Sequence, residues 1–178
     1  MISLNAIGKD TRQTGDFCIW RPDGSGDNLL VIFKTSAVLI QNGKEITVSP
    51  DSLILYSKGT MQHYKTLCGS YVNHFVHFDT DDTELMNGIK TDTLITSEDI
   101  PAIEELLTIL CRENVAGSTN RKQYENMLMQ MILMKISDLC GYGNEICFMK
   151  IFKKRTGITP SEYRKISKND NLKNNFIW

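Results

Sequence analysis

Ile136-Ser-Asp-Leu-Cys-Gly-Tyr-Gly-Asn-Glu-Ile-Cys-Phe-Met-Lys-Ile-Phe-Lys-Lys-Arg-Thr-Gly-Ile-Thr-Pro-Ser-Glu-Tyr-Arg-Lys165 carries the most specific pattern in this chain of 178 residues. Leu133, Ile136 and Leu139 (or Cys140) fall three to four residues apart, on one face of a helix that Gly141 stops. After Tyr142 and Gly143, Asn144 is placed to cap a second helix, with Cys147 or Phe148, Ile151 and Phe152 as its apolar stripe. Lys150, Lys153, Lys154 and Arg155 stay polar, and the cationic last turn suits the negative end of the helix dipole. Thr156-Gly157 closes that helix. Thr159-Pro160-Ser161-Glu162 then starts a third, with Pro at the first helical position. Two helices joined by a tight Gly turn, the second one basic, predict a helix-turn-helix unit of the kind that lays its second helix in the DNA major groove.

The segment resembles the second helix-turn-helix of AraC/XylS-type transcription regulators, whose signature ends in G-x-T-P-S-x-Y-R. Ile136, Gly141, Phe148, Phe152, Lys153, Lys154, Gly157, Thr159, Pro160, Ser161, Tyr163 and Arg164 fall on it. Ser137, Tyr142, Cys147 and Lys150 depart from the usual Ala, Phe, aromatic and Arg. The resemblance implies a DNA partner. On it, Asn144, Glu145 and Cys147 sit where base edges would be met, and Lys150, Lys153, Lys154 and Arg164 where phosphates would be. The plainer alternative is that Glu145 is a helix-start residue on solvent and that Lys153 and Lys154 belong to a solvated face.

Charge is divided along the chain in the same sense. Residues 1–134 carry 11 Lys and Arg against 17 Asp and Glu, a net of −6, whereas residues 135–178 carry 9 against 4, a net of +5. The basic end is the expected nucleic-acid end.

Working backwards, Tyr124, Met127, Leu128, Met131 and Ile132 predict one face of an amphipathic helix. The four methionines at 127, 129, 131 and 134 read either as core or as an adaptable packing surface. A preceding helix opens at Ser97-Glu-Asp-Ile-Pro101, with Ser97 as cap, acidic residues in the first turn, and Ile100, Ile103, Leu106, Leu107 and Leu110 on one face. Gly117-Ser118-Thr119 breaks it.

From Asp16 to about Asp79 the pattern changes to short strands divided by turns. Phe17–Trp20, Leu29–Lys34, Ala37–Gln41, Glu45–Val48, Leu53–Ser57, Gln62–Lys65 and Tyr71–Phe78 are rich in β-branched, Leu and aromatic residues. Gln41-Asn-Gly-Lys44 predicts a hairpin, because Asn-Gly accepts the positive φ of a type I′ turn. An antiparallel barrel or sandwich follows. Arg21-Pro-x-Gly24, Ile54-Leu-Tyr-Ser57, Gly59-x-x-Gln62-x-Tyr64 and Phe75-Val-His-Phe78 resemble landmarks of the cupin-like, sugar-responsive sensor found at the N-terminus of the same regulator family.

The expected fold class is therefore α+β: an N-terminal antiparallel cupin-like β-barrel, then helices, then a helix-turn-helix remnant. The expected division is a sensor barrel at 1–95, a helical dimerisation segment at 96–134 and a partial DNA-binding domain at 135–178. The family's DNA-binding domain is about twice this size and holds two such units, so the first is expected to be missing here and DNA binding to be weakened.

Inside the barrel, Trp20, Arg21, Tyr56, His63, Tyr64 and His77 have the polar tips and flat faces that a small-molecule effector such as a sugar would use. Each also has a bland reading, as a satisfied core residue or, for Arg21, a turn anchor. A metal site is not expected, because His63 lacks a second His two residues on. His74 and His77, three apart, point to opposite faces of a strand. No G-x-S-x-G elbow or Gly-rich phosphate loop is present, so no catalytic residue and no cofactor is expected.

Five Cys with no C-x-x-C pair predict free buried thiols in a reducing compartment. The chain shows no apolar run long enough for a membrane span and is expected to be soluble, cytoplasmic and homodimeric. The expected function is a ligand-responsive transcription regulator of carbohydrate or other small-molecule uptake and metabolism genes. The alternatives are a sensor or dimerisation protein without DNA activity, such as a truncated antagonist, and a cupin-fold metal enzyme.

Overall fold

Alternation of apolar and polar side chains between turn formers drives the first hundred residues into strands. The structure is a computed structural model that describes residues 1–140, 158, 159 and 162. In order, the strands are β1 (Ile2–Thr14), β2 (Cys18–Arg21), β3 (Asn28–Phe33), β4 (Ala37–Gln41), β5 (Lys44–Val48), β6 (Ser52–Tyr56), β7 (Gln62–Thr66) and β8 (Ser70–Thr80). After the short helix α1 (Thr83–Asn87) and strand β9 (Leu94–Thr96) come α2 (Ile100–Ala116) and α3 (Arg121–Leu139). The mixed α+β class expected from the sequence, with antiparallel sheets first and helices after, is what the chain adopts.

The strands form two antiparallel sheets, ordered β1-β8-β3-β6-β9 and β2-β7-β4-β5. Asn42 and Gly43, at φ 52° and 72°, turn β4 back onto β5 as the Asn-Gly pair predicts. Alternate residues of β3, β6 and β8 feed two cores. Leu29, Val31, Phe33, Ile54, Tyr56 and Tyr71 join Leu39 and Tyr64 of the second sheet. Leu30, Ile32, Leu53, Leu55, Val76 and Phe78 instead join Ile103, Leu107 and Leu110 of α2 and Ile132, Leu133 and Ile136 of α3. The five-stranded sheet is thus covered on both faces. That is why β3 reads as the unbroken apolar run Leu-Leu-Val-Ile-Phe, with every residue buried.

Four sequence expectations are corrected. β1, a 13-residue strand along the free side of β8, was not expected, because Ile2–Thr14 is largely polar and only Ile2 is buried. Two register shifts, between Leu4 and Ala6 and between Gly8 and Thr11, break its alternation further.

The start of α2 also differs. Ile100 is its first residue, and the Ser97 hydroxyl accepts the N–H of Asp99 at 3.2 Å rather than capping the first turn, which holds no acidic residue.

The third correction is the phase of α3. Its buried residues are Glu125, Met129, Ile132, Leu133 and Ile136, whereas Tyr124, Met127, Met131 and Met134 are 42–58% exposed. Apolar residues occur on nearly every side of this helix, so its periodicity does not select a face; contact with α2 and β1 does. Burying Glu125 is tolerated because its carboxylate accepts from Arg121 Nε at 2.7 Å and from Asn114 Nδ2 at 2.9 Å.

The cysteines divide as well. Cys111 and Cys140 pack partly buried against the helical core, but Cys18 and Cys68 are exposed, contrary to the expectation of buried thiols. Among the described residues, no helix is long and apolar enough to cross a membrane.

Candidate functional site

Between the two sheets lies a cavity of about 200 Å³, lined by Gln13, Phe17, Ile19, Arg21, Leu29, Tyr64, Asn73, Phe75 and His77. Strand alternation places its walls. Asn73, Phe75 and His77 are every second residue of β8, and Ile19 and Arg21 are every second residue of β2. His74, three residues before His77, faces the helices, as their odd separation predicts. Its Nδ1 accepts the Asp10 N–H at 2.9 Å, and its Nε2 lies 3.7 Å from Glu104 of α2.

A chain of polar contacts runs along one side of the cavity. Arg21 Nη1 donates to Gln62 Oε1 at 3.1 Å, Gln62 Nε2 donates to Ser25 Oγ at 3.0 Å, and Ser25 Oγ donates to Asp27 Oδ1 at 2.8 Å. Asp27 also pairs with His77 Nδ1 at 2.8 Å and accepts from Asn5 Nδ2 at 3.0 Å. Burial alone would raise the Asp27 pKa. The bonds from Asn5, His77 and Ser25 together outweigh it and hold the carboxyl below the usual carboxylate range. Ionised Asp27 accepts the hydrogen bond of His77 Nδ1–H, which leaves Nε2 as the imidazole's remaining polar atom.

Tyr64 in the wall is backed by two further tyrosine rings, lying 6.4 Å from Tyr56 and 5.9 Å from Tyr71. The Tyr56 and Tyr71 rings are buried and their hydroxyls make no full hydrogen bond, although those of Tyr64 and Tyr71 approach each other. Burial pushes the Tyr64 phenol up to about 12, with Arg21 pulling the other way.

The six residues expected to face one pocket are thus divided. Arg21, Tyr64 and His77 line the cavity, and Tyr56 is buried one ring behind it. Trp20 and His63 lie on the outer side of the second sheet, where their rings meet edge-on at 4.5 Å and Trp20 is 58% exposed. The reason is pleat parity, since Trp20 neighbours Arg21 in sequence and must point the other way. Gln13, Phe17, Ile19, Leu29, Asn73 and Phe75 were not singled out from sequence. The alternation Tyr71, Asn73, Phe75, His77 was the signal that could have found part of this wall.

At the other end of the described chain, α3 runs without a break through the boundary between its predicted dimer segment and the start of the helix-turn-helix pattern. Leu133 and Ile136, the first residues of that pattern, are fully buried with α2 and the sheet. Ser137 Oγ donates to the Gly88 carbonyl at 3.0 Å, the Lys90 N–H reaches Cys140 Sγ at 3.4 Å, and the first compact unit extends to Cys140.

Further on, Thr159 and Glu162 form a reciprocal capping box. The Thr159 hydroxyl accepts the Glu162 N–H at 3.2 Å and the Glu162 carboxylate accepts the Thr159 N–H at 2.8 Å, as the Thr-Pro-Ser-Glu sequence predicts for a helix start. Asn144, Glu145, Cys147, Lys150, Lys153, Lys154 and Arg164, together with the helix expected from Asn144 to Lys154, lie outside the described residues.

No curated protein matches the chain. Among solved structures it is similar to ToxT from Vibrio cholerae, at 14% identity and a TM-score of 0.44, over 90% of this chain and 58% of that one. It is likewise similar to the AraC-like transcriptional activator CuxR, at 13% identity and a TM-score of 0.42, over 72% of this chain and 48% of that one. The chain therefore spans less than two thirds of the length of either. Residues 133–165 match the family of bacterial regulatory helix-turn-helix proteins, AraC family. The segment that begins inside the buried end of α3 and runs past the Thr159–Glu162 capping box is thus the part of the chain that matches the AraC-family helix-turn-helix proteins.

Proposed function

We propose that the chain is a ligand-responsive DNA-binding regulator of AraC type, in which the cavity between the sheets takes a small-molecule effector and the segment after α3 contacts DNA. The observation that carries this reading is the family match at 133–165, most of which lies within residues 135–178, whose net charge of +5 contrasts with −6 for residues 1–134. Asn144, Glu145 and Cys147 are proposed to meet base edges, and Lys150, Lys153, Lys154 and Arg164 to meet phosphates. Trp20 and His63, on the outer sheet surface, are not part of the proposed effector site.

With one helix-turn-helix in place of the family's two, fewer phosphates are neutralised. Each one lost removes about 0.9 from the slope of log K against log salt, so binding by the monomer is weak at physiological salt. A homodimer through the exposed Tyr124, Met127, Met131 and Met134 stripe of α3 would present two readers, provided their spacing matches a helical repeat of about 34 Å. A cytoplasmic location follows from this role.

The test is fluorescence anisotropy with labelled promoter-region DNA of the source genome at 50 mM and 200 mM salt. The expected result is binding at the lower salt that falls steeply at the higher, and that is lost in Lys153→Glu/Lys154→Glu. Absence of binding at 50 mM salt would overturn the DNA role. The same exposed stripe favours the second reading in that case, a dimerising sensor that lacks DNA activity, for which a dimer mass by light scattering is the mark.

A further inference from the structure

The cavity between the sheets is small and its charge is one-sided. Its nine lining residues include one permanent cation, Arg21, and one imidazole, His77, but no Asp or Glu. The half-buried Arg21 guanidinium has a single hydrogen-bonded partner among the described residues, the neutral amide of Gln62 at 3.1 Å, and no carboxylate within ion-pair distance. The nearby carboxylate, Asp27, is not part of the lining. It is occupied by Asn5, Ser25 and His77.

Phe17, Ile19, Leu29 and Phe75 give the wall an apolar side, Gln13, Tyr64 and Asn73 add neutral polar groups, and just behind it the Tyr56 hydroxyl makes no hydrogen bond. A guanidinium facing such a space without a counter-ion is only partly solvated. The group that offsets this best is a planar anion that accepts two parallel N–H bonds. Neutral polyols bring no charge, and cations would meet Arg21 unfavourably.

We propose that the effector of this cavity is a compact monocarboxylate with an apolar body, its carboxylate held by Arg21 and its chain lying against Phe17, Ile19, Leu29 and Phe75. This rests on the reading of the cavity as the effector site and names the chemistry it selects. The volume sets the size. A space of about 200 Å³ that opens to solvent on one side suits a short alkanoate such as butyrate or hexanoate. Tyr64, also in the wall beside Arg21, is a neutral phenol across the physiological range, since burial raises its pKa, and can donate a second hydrogen bond to the same carboxylate.

The experiment is isothermal titration calorimetry of the full chain with butyrate and hexanoate, with their neutral isosteres butyramide and hexanamide, and with D-xylose and D-glucose. Hexanoate is expected to bind at least about tenfold more tightly than hexanamide, and neither sugar is expected to bind. Arg21→Gln should bring hexanoate down to the affinity of hexanamide, while Arg21→Lys should retain part of the difference. The amide comparison on the wild-type protein keeps the test decisive if Arg21→Gln fails to fold. Equal affinity for acid and amide overturns the proposal, as does binding of hexanoate undiminished in Arg21→Gln. Sugars binding while alkanoates do not would overturn the ligand class and leave the effector-sensing function standing. Silence of every probe would overturn the ligand class and count against the cavity as a sensor.

Discussion

Ile136 offers the sharpest perturbation, because it belongs at once to the helix-turn-helix pattern and to the core of the β-sheet unit. Its side chain is fully buried among residues of α2, α3 and the five-stranded sheet. Truncating a buried Ile to Ala costs about 2–5 kcal/mol, through lost transfer energy and the void left behind. Taking roughly 3 kcal/mol and a urea m-value of about 2 kcal/mol/M, the midpoint should fall by about 1.5 M. Met134, two residues earlier and 58% exposed, is the matched control, and Met134→Ala should stay within about 0.5 kcal/mol of the parent.

The chain has two Trp residues, so a Trp178→Phe background leaves Trp20 as the sole indole. Trp20 reports from β2, in the sheet whose core cluster holds no residue of α3, so a shift there means that the whole unit has been destabilised. Should Ile136→Ala leave the Trp20 midpoint unchanged, the end of α3 would not be part of the core of the β-sheet unit. The single continuous helix would then have to be abandoned.

Acid provides another test, through His74. Burial chiefly, against weaker opposing pulls from Glu104 and Asp10, lowers its pKa in the folded chain, so the unfolded chain binds the proton more readily. The associated stability is complete above pH 6.5, the ordinary value for His, and is lost as pH falls from 6.5 toward the depressed folded value, by at most about 1.4 kcal/mol per unit. Urea midpoints at pH 7.5 and 5.5 should differ in the parent and differ less in His74→Gln; equal slopes would remove His74 as the cause. Packing of β1 gives a further one. A Cβ on Gly8 would stand 2.3 Å from the Phe75 ring, so Gly8→Ala should drive that ring toward the cavity and destabilise the chain by about 1–3 kcal/mol. It should also weaken hexanoate binding, and a variant as stable and as tight-binding as the parent would count against this packing.

Local chemistry made much of the molecule legible in advance. Asn42-Gly43 sets its hairpin through two positive φ angles, Thr159 and Glu162 satisfy each other's backbone donors, and Ile103, Leu107 and Leu110 repeat at helical spacing because they share one buried face. The odd interval between His74 and His77 was enough to send them to opposite sides of β8. Features that depend on partners distant in sequence were not legible in this way. Polar β1 becomes a strand only because β8 offers it an edge to pair with, α3 takes its orientation from α2 and β1 because its own apolar residues point every way, and Trp20 faces outward because the pleat gives the interior to Arg21. By itself the sequence determined most of the local elements from β2 onward, their order, and the pattern at 133–165 that matches the AraC family, because these rest on backbone preferences and short-range spacing. Only the tertiary structure decided that this segment begins inside the core of the β-sheet unit and that Arg21 stands over a small cavity with no carboxylate partner among the described residues, because burial and the lack of a facing charge are properties of residues brought together from far apart.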